Sequence, residues 1–231
     1  MSLHDYLSNK DNVNLSSGLR RFGGEQYLTL GRHKIENFLD SLINNCDSLS
    51  DIIQQHVTTL EICKNCGSKT NVEKKINILI LSVREECNNK TYDLKEIIDM
   101  NTSCMQDSRK YCSSCKKITD TQEKVYILKN NKIMFIKVVH QDNDQKKNIT
   151  KPIKLKSIPS FKMKIGNYKY QVISAIFEEH IIRDKSINQV YTCMIRDNKS
   201  GLIHIQDEII KKRSWPRNSS NALIFVLEAI T

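Results

Sequence analysis

The chain has 231 residues, 39% of them hydrophobic, and a formal net charge of +10. That length can bury a core in one large or two small domains. The longest apolar runs, Ile76 to Leu81 and Ala222 to Leu227, are far too short for a membrane span, and Met1 to Ser8 lacks the basic-then-apolar pattern of a secretory signal. No membrane partner is therefore expected, and the chain reads as intracellular.

The first thirty residues are polar, are broken by Ser16-Ser17-Gly18 and Gly23-Gly24, and read as irregular. From His33 to Asn45, Ile35, Phe38, Leu39, Leu42 and Ile43 recur at helical spacing and share one face. A shorter helical piece is expected around Asp51 to Gln55. His56 to Ile62 then alternates as a strand that runs into Cys63. Lys75 to Val83 predicts one strand with Ile76, Ile78 and Ile80 on the same side. Leu94, Ile97 and Ile98 mark a small helix. Beyond Cys115 the chain reads as extended over 124–129, 132–140, 149–155, 168–177, 190–196, 202–205 and 222–227, which predicts a curled antiparallel sheet.

The chemistry concentrates in two cysteine pairs, Cys63-Lys64-Asn65-Cys66 and Cys112-Ser113-Ser114-Cys115, separated by 45 residues. A two-residue gap lets both sulfurs of a tight knuckle face one ion, and four thiolates suit tetrahedral zinc. Gly67, directly after the first pair, supplies the backbone freedom such a turn needs. The expectation is one closed structural zinc site at Cys63, Cys66, Cys112 and Cys115, without an open position for catalysis. A redox-active disulfide is the lesser alternative. Cys46, Cys87, Cys104 and Cys193 are expected as free thiols in a reducing compartment. The positive charge also admits a basic zinc ribbon that binds nucleic acid. The cations are scattered, though, and the densest run, Lys211-Lys212-Arg213, is short. Trp215-Pro216-Arg217 beside that run reads as a packed loop.

The order of these features resembles the ubiquitin-specific protease family, over about residues 25 to 230. Phe38-Leu39 stands where the thumb helix of that family ends. Cys63-Lys64-Asn65-Cys66-Gly67 and Tyr111-Cys112-Ser113-Ser114-Cys115 take the places of its two zinc knuckles. Ile133 to Val139, Tyr170 to Ile176 and Ala222 to Leu227 are similar to its palm strands. The resemblance implies an α+β, papain-like cysteine protease fold with a thumb remnant, zinc-ribbon fingers and an antiparallel β palm. It implies a single domain over 1–231, divided into thumb remnant (1–55), fingers with an adjoining palm strand (56–128) and palm (129–231).

The catalytic groups of the family are not matched. Its Asn-x-Gly-x-Thr-Cys box is absent, Val190 stands at the histidine position, and Gln206 stands at the aspartate position. Valine cannot relay a proton, and glutamine does not stabilise an imidazolium as a carboxylate does. Among possible substitutes, His180 and His204 read as surface or strand-packing residues, Cys46 and Cys193 as ordinary buried thiols, and Asp207 as a remnant of the acidic pair. The expected function is an inactive, N-terminally truncated protease-like domain that binds ubiquitin or a ubiquitin-like protein. The acidic residues Glu85, Glu86, Asp93, Glu96 and Asp99 would favour that partner. The alternative is an active deubiquitinase whose cysteine box lies upstream.

Overall fold

The structure, a computed structural model, describes residues 34–84, 92–129, 131–141, 162–166, 168–183, 186–197, 201–206, 209–212 and 222–230. Two compact units are present, 1–51 and 52–231. In the first, helix α1 (Ile35–Asn44) buries Leu39 and Ile43, two of the five residues whose spacing predicts it. Helix α2 (Asp47–Ile53) starts four residues earlier than expected, with Asp47 in its first turn, where an acidic side chain favours the exposed N–H groups.

The second unit holds two sheets. The smaller has strand order β2-β1-β5-β4, built from β1 (Gln55–Cys63), β2 (Lys69–Ile76), β4 (Gln106–Cys112) and β5 (Lys117–Lys129), all antiparallel. The larger follows β11-β10-β9-β8-β12-β6-β3, with β7 added on β8. Its strands are β3 (Ile78–Arg84), β6 (Ile133–Gln141), β7 (Met163–Ile165), β8 (Tyr168–Arg183), β9 (Ser186–Asp197), β10 (Gly201–Gln206), β11 (Ile209–Lys212) and β12 (Ala222–Ile230). Helix α3 (Leu94–Ser103) opens on Asp93, whose carboxylate accepts the Lys95 N–H at 2.8 Å.

Three sequence expectations are corrected here. The strand predicted over Lys75 to Val83 is two strands in different sheets, parted at Asn77. The face of β3 that enters the core is Leu79, Leu81 and Val83, whereas Ile80 is 63% exposed. The larger sheet is also mixed, because β3 pairs with β6 in parallel (Ile78 opposite Phe135, Leu81 opposite Val138). The expected strand over 149–155 and the Trp215 loop lie outside the described residues.

The core sits on the larger sheet, where Leu79, Met134, Ile136, Val172, Phe177, Met194, Phe225 and Leu227 meet Leu94, Ile97 and Ile98 of α3. Along β8 the buried residues change phase, from Tyr170 and Val172 to Ala175 and Phe177. The cause is a register shift against β12, where Val226 faces Ser174 but Leu227 faces Val172. One extra residue turns alternate side chains onto the same face.

Buried Gln55 ties the start of β1 to the turn before β6. Its side chain accepts from the Asn131 N–H at 2.9 Å and donates to the Ile133 carbonyl at 2.9 Å. The Asn131 carbonyl in turn accepts the hydroxyl of fully buried Tyr170 at 2.6 Å. No helix among the described residues is long and apolar enough to cross a membrane.

Candidate metal centre

The two knuckles close the distal end of the smaller sheet. β1 delivers Cys63, and the chain reverses through a turn in which the Gly67 N–H donates to the Cys63 carbonyl at 2.9 Å. Gly67 has φ of +70°, in the left-handed region that its sequence position predicts. β4 delivers Cys112, and the matching bond runs from the Lys116 N–H to the Cys112 carbonyl at 2.8 Å. Lys116 occupies the same left-handed region at φ +54°, without glycine's freedom. The knuckles are joined by the Lys64 N–H donating to the Asp120 carbonyl at 2.9 Å.

This geometry brings the four predicted sulfurs together within 4.8 Å of one another. Cys63 Sγ lies 3.8 Å from Cys115 Sγ, and Cys66 Sγ lies 3.7 Å from Cys112 Sγ. A tetrahedral ion with bonds of about 2.3 Å spaces its sulfurs by about 3.8 Å, which is the spacing found. A disulfide would require about 2.0 Å. All seven described cysteines are free thiols, and the convergence of four of them fits the donor set of a zinc ion.

The ionisation of the sulfurs points the same way. The Thr119 hydroxyl, 3.2 Å from Cys63 Sγ, draws that thiol down to about 6, with help from the Cys66 N–H. The Ser68 N–H acts to lower Cys66, but the Cys115 sulfur, burial and the remaining sulfurs outweigh it and push the thiol up to about 12. Four thiolates this close cannot all ionise side by side, and a divalent cation removes the conflict. Cys63 and Cys112 are buried and Asn65 donates to Cys115 Sγ at 3.2 Å, which holds the ligands in place. A full set of four sulfurs has no place for water or substrate, so the centre is a clasp.

Against known proteins, the family model for ubiquitin carboxyl-terminal hydrolase matches residues 4–225. The chain belongs to this family. Its fold is similar to that in the structure of the SAGA Ubp8/Sgf11/Sus1/Sgf73 DUB module bound to ubiquitin aldehyde. The TM-score is 0.63 and the identity 11%, over 95% of this chain and 53% of that chain. A second structure of that module, with a Ubp8 point variant and Sgf11 lacking its zinc finger, matches with TM-score 0.60 and 10% identity, over 98% and 56% of the two chains. The chain thus spans about half the length of these solved chains. No curated protein matches it in sequence.

Of the other candidate positions, His180, Val190, Cys193, His204 and Gln206 lie on strands of the larger sheet. Val190 lies on β9, where its backbone faces Glu179 of β8, and Gln206 ends β10 opposite Ile209 of β11. His180 faces Gln189 in the β8–β9 ladder, and His204 lies between Met194 and Lys211. Asp207 is outside the described residues. Cys46 and Cys193 are half-buried, not buried as expected. Burial pushes the Cys193 thiol up, away from the thiolate a nucleophile needs. Cys46 Sγ sits 3.3 Å from the Ser48 hydroxyl. Of the expected acidic stretch, Glu85 and Glu86 lie outside the described residues, Asp93 caps α3, and Asp99 pairs with Lys95. Sequence reading missed the Thr119 contact to Cys63. Its only signal is the alternation of β5, which places Thr119 and Thr121 on the buried side.

Proposed function

We propose that this member of the hydrolase family no longer hydrolyses and works as a zinc-clasped scaffold that binds ubiquitin or a ubiquitin-like protein through palm and fingers. In this reading 1–231 is one domain, with thumb remnant 1–55, fingers 56–128 and palm 129–231. The reading is supported by the cage of four sulfurs and by Val190 on β9, which the sequence resemblance sets against the family's histidine. Valine takes no proton from a thiol and returns none to a leaving amine. Gln206 at the carboxylate position and the raised Cys193 thiol support the same conclusion. The solved relative bound to ubiquitin aldehyde supports ubiquitin as the first partner to test.

The test is a titration with fluorescently labelled ubiquitin, run beside a ubiquitin-fused fluorogenic reporter. Saturable binding without turnover is expected. Turnover that Cys46→Ser or Cys193→Ser abolishes would overturn the loss of hydrolysis, and an absence of binding would overturn the scaffold.

A further inference from the structure

A slot of about 230 Å³ opens where the two sheets approach each other, and strand edges form its walls. β3 is the terminal strand of the larger sheet. β5 loses its β4 neighbour beyond Glu123, because β4 begins opposite it at Gln106. Ile80 of β3 and Val125 of β5 both line the slot, and α3, which packs on both strands, contributes Asn101.

Strand parity turns backbone groups of both edges toward this slot. The Ser82 N–H and C=O bond the Asn101 side chain and not β6, so those of Ile80, two residues earlier, leave β3 on the same open side. On β5 the Asp120 C=O accepts from Lys64 at the end of β1, so the even-numbered residues address β1 and Val125 addresses the opposite side. Neither Ile80 nor Val125 has a hydrogen bond on its open side among the described residues. Ile80 is 63% exposed and carries no charge to guard the edge. Toward Ser82 the slot turns polar, with Gln106 and Ser108 in its lining, and Ser108 Oγ is a buried oxygen without a hydrogen-bond partner.

We propose that the slot takes an extended peptide segment of a partner protein, which adds a strand between β3 and β5 and joins the two sheets. The groups on offer define this occupant. An N–H and C=O pair on each of two strand edges matches the pairs that an extended chain presents to alternate sides. The Asn101 amide shows the same chemistry in place, because it answers Ser82 as a neighbouring strand would. Beside Ile80 the segment carries an apolar side chain, and at the polar end a hydroxyl or amide that bonds Ser108 Oγ. The proposal rests on the edges of β3 and β5 and stands apart from the ubiquitin reading.

The probe is a short fluorescein-labelled peptide of alternating Thr and Val, residues suited to a strand, compared with two counterparts N-methylated at odd or at even positions. Each counterpart has one of its two edges blocked. Binding to the full chain is expected to be saturable and to slow hydrogen exchange at both the Ile80 and the Val125 amides about tenfold or more. Both N-methylated peptides should bind about tenfold more weakly, since each loses backbone hydrogen bonds. Ile80→Pro, which removes a donor that β6 does not use, should weaken the unmodified peptide to a similar degree. Zinc content and thermal midpoint establish that this variant folds, and the N-methylated peptides carry the test if it does not. No binding, undiminished binding of either N-methylated peptide, unchanged affinity in folded Ile80→Pro, or protection of one amide alone would overturn the proposal. Protection of both amides in the free protein would overturn it as well, by showing that this chain or a second copy fills the slot.

Discussion

Glu61 and Glu123 face each other directly across β1 and β5, an arrangement of like charges that destabilises a sheet. Lys110 of β4 resolves it, with Nζ 2.5 Å from Glu61 and 2.8 Å from Glu123. Burial alone would lower the Lys110 pKa, but the two carboxylates outweigh it and raise it above the ordinary 10.5. A raised pKa in the folded state means that this contribution is complete below about 10.5 and fades as pH climbs through the raised value. Because all three side chains are partly exposed, Lys110→Met should cost about 1 kcal/mol. Thermal midpoints should show a constant gap from wild type at neutral pH that narrows only above the lysine's ordinary value. Adding Glu123→Gln to Lys110→Met should recover part of the loss.

Asn101 protects the open edge of the larger sheet. Its side-chain oxygen accepts the Ser82 N–H and its nitrogen donates to the Ser82 carbonyl, both at 2.9 Å, so one residue of α3 stands in for a strand beside β3. Gln106 donates to the same oxygen at 2.8 Å. Asn101→Ala leaves two backbone groups of β3 unpaired and should cost roughly 2 kcal/mol in urea unfolding. An unchanged urea midpoint would show that water replaces the amide without loss.

The two knuckles share a turn but not a residue type. An alanine Cβ at Gly67 meets nothing within 4 Å, so only the left-handed backbone opposes it. Gly67→Ala should therefore destabilise the zinc-loaded protein by about 1 kcal/mol. Lys116→Gly relieves the same strain while loosening the unfolded chain, and should fall within about 0.5 kcal/mol of wild type. Guanidinium unfolding of the two variants in parallel checks the contrast.

The clasp holds one sheet and not the other. Chelation should remove hydrogen-exchange protection from the knuckle amides of Lys64, Gly67 and Lys116, and from the adjoining ends of β1, β4 and β5. β8 and β12, packed in the core of the larger sheet, should keep theirs.

The clasp was legible because its signal is local: two matched cysteine spacings and a glycine at the required place. α1 was legible from five apolar residues at one spacing, and β12 from its apolar run. What the sequence hid depends on partners far along the chain. Ile76 to Leu81 is apolar apart from Asn77, and nothing local tells that this one polar residue parts two sheets or that β3 lies parallel to β6. The isoleucines of that segment are as apolar as Leu79, Leu81 and Val83, and only packing against β6 and α3 decides which set is buried. β7 has three residues, and β11 carries Lys211 and Lys212, so neither forms a recognisable apolar pattern. The network of Gln55, Asn131 and Tyr170 spans more than a hundred residues and leaves no mark in spacing.

The central claim is that four sulfurs hold one metal ion and that the fingers depend on it. Its most direct test is elemental analysis of the purified protein and of the Cys63→Ser/Cys112→Ser variant. The account predicts one zinc per chain in the first and none in the second. Protein that folds without zinc, or a variant that keeps its full zinc content, would contradict it.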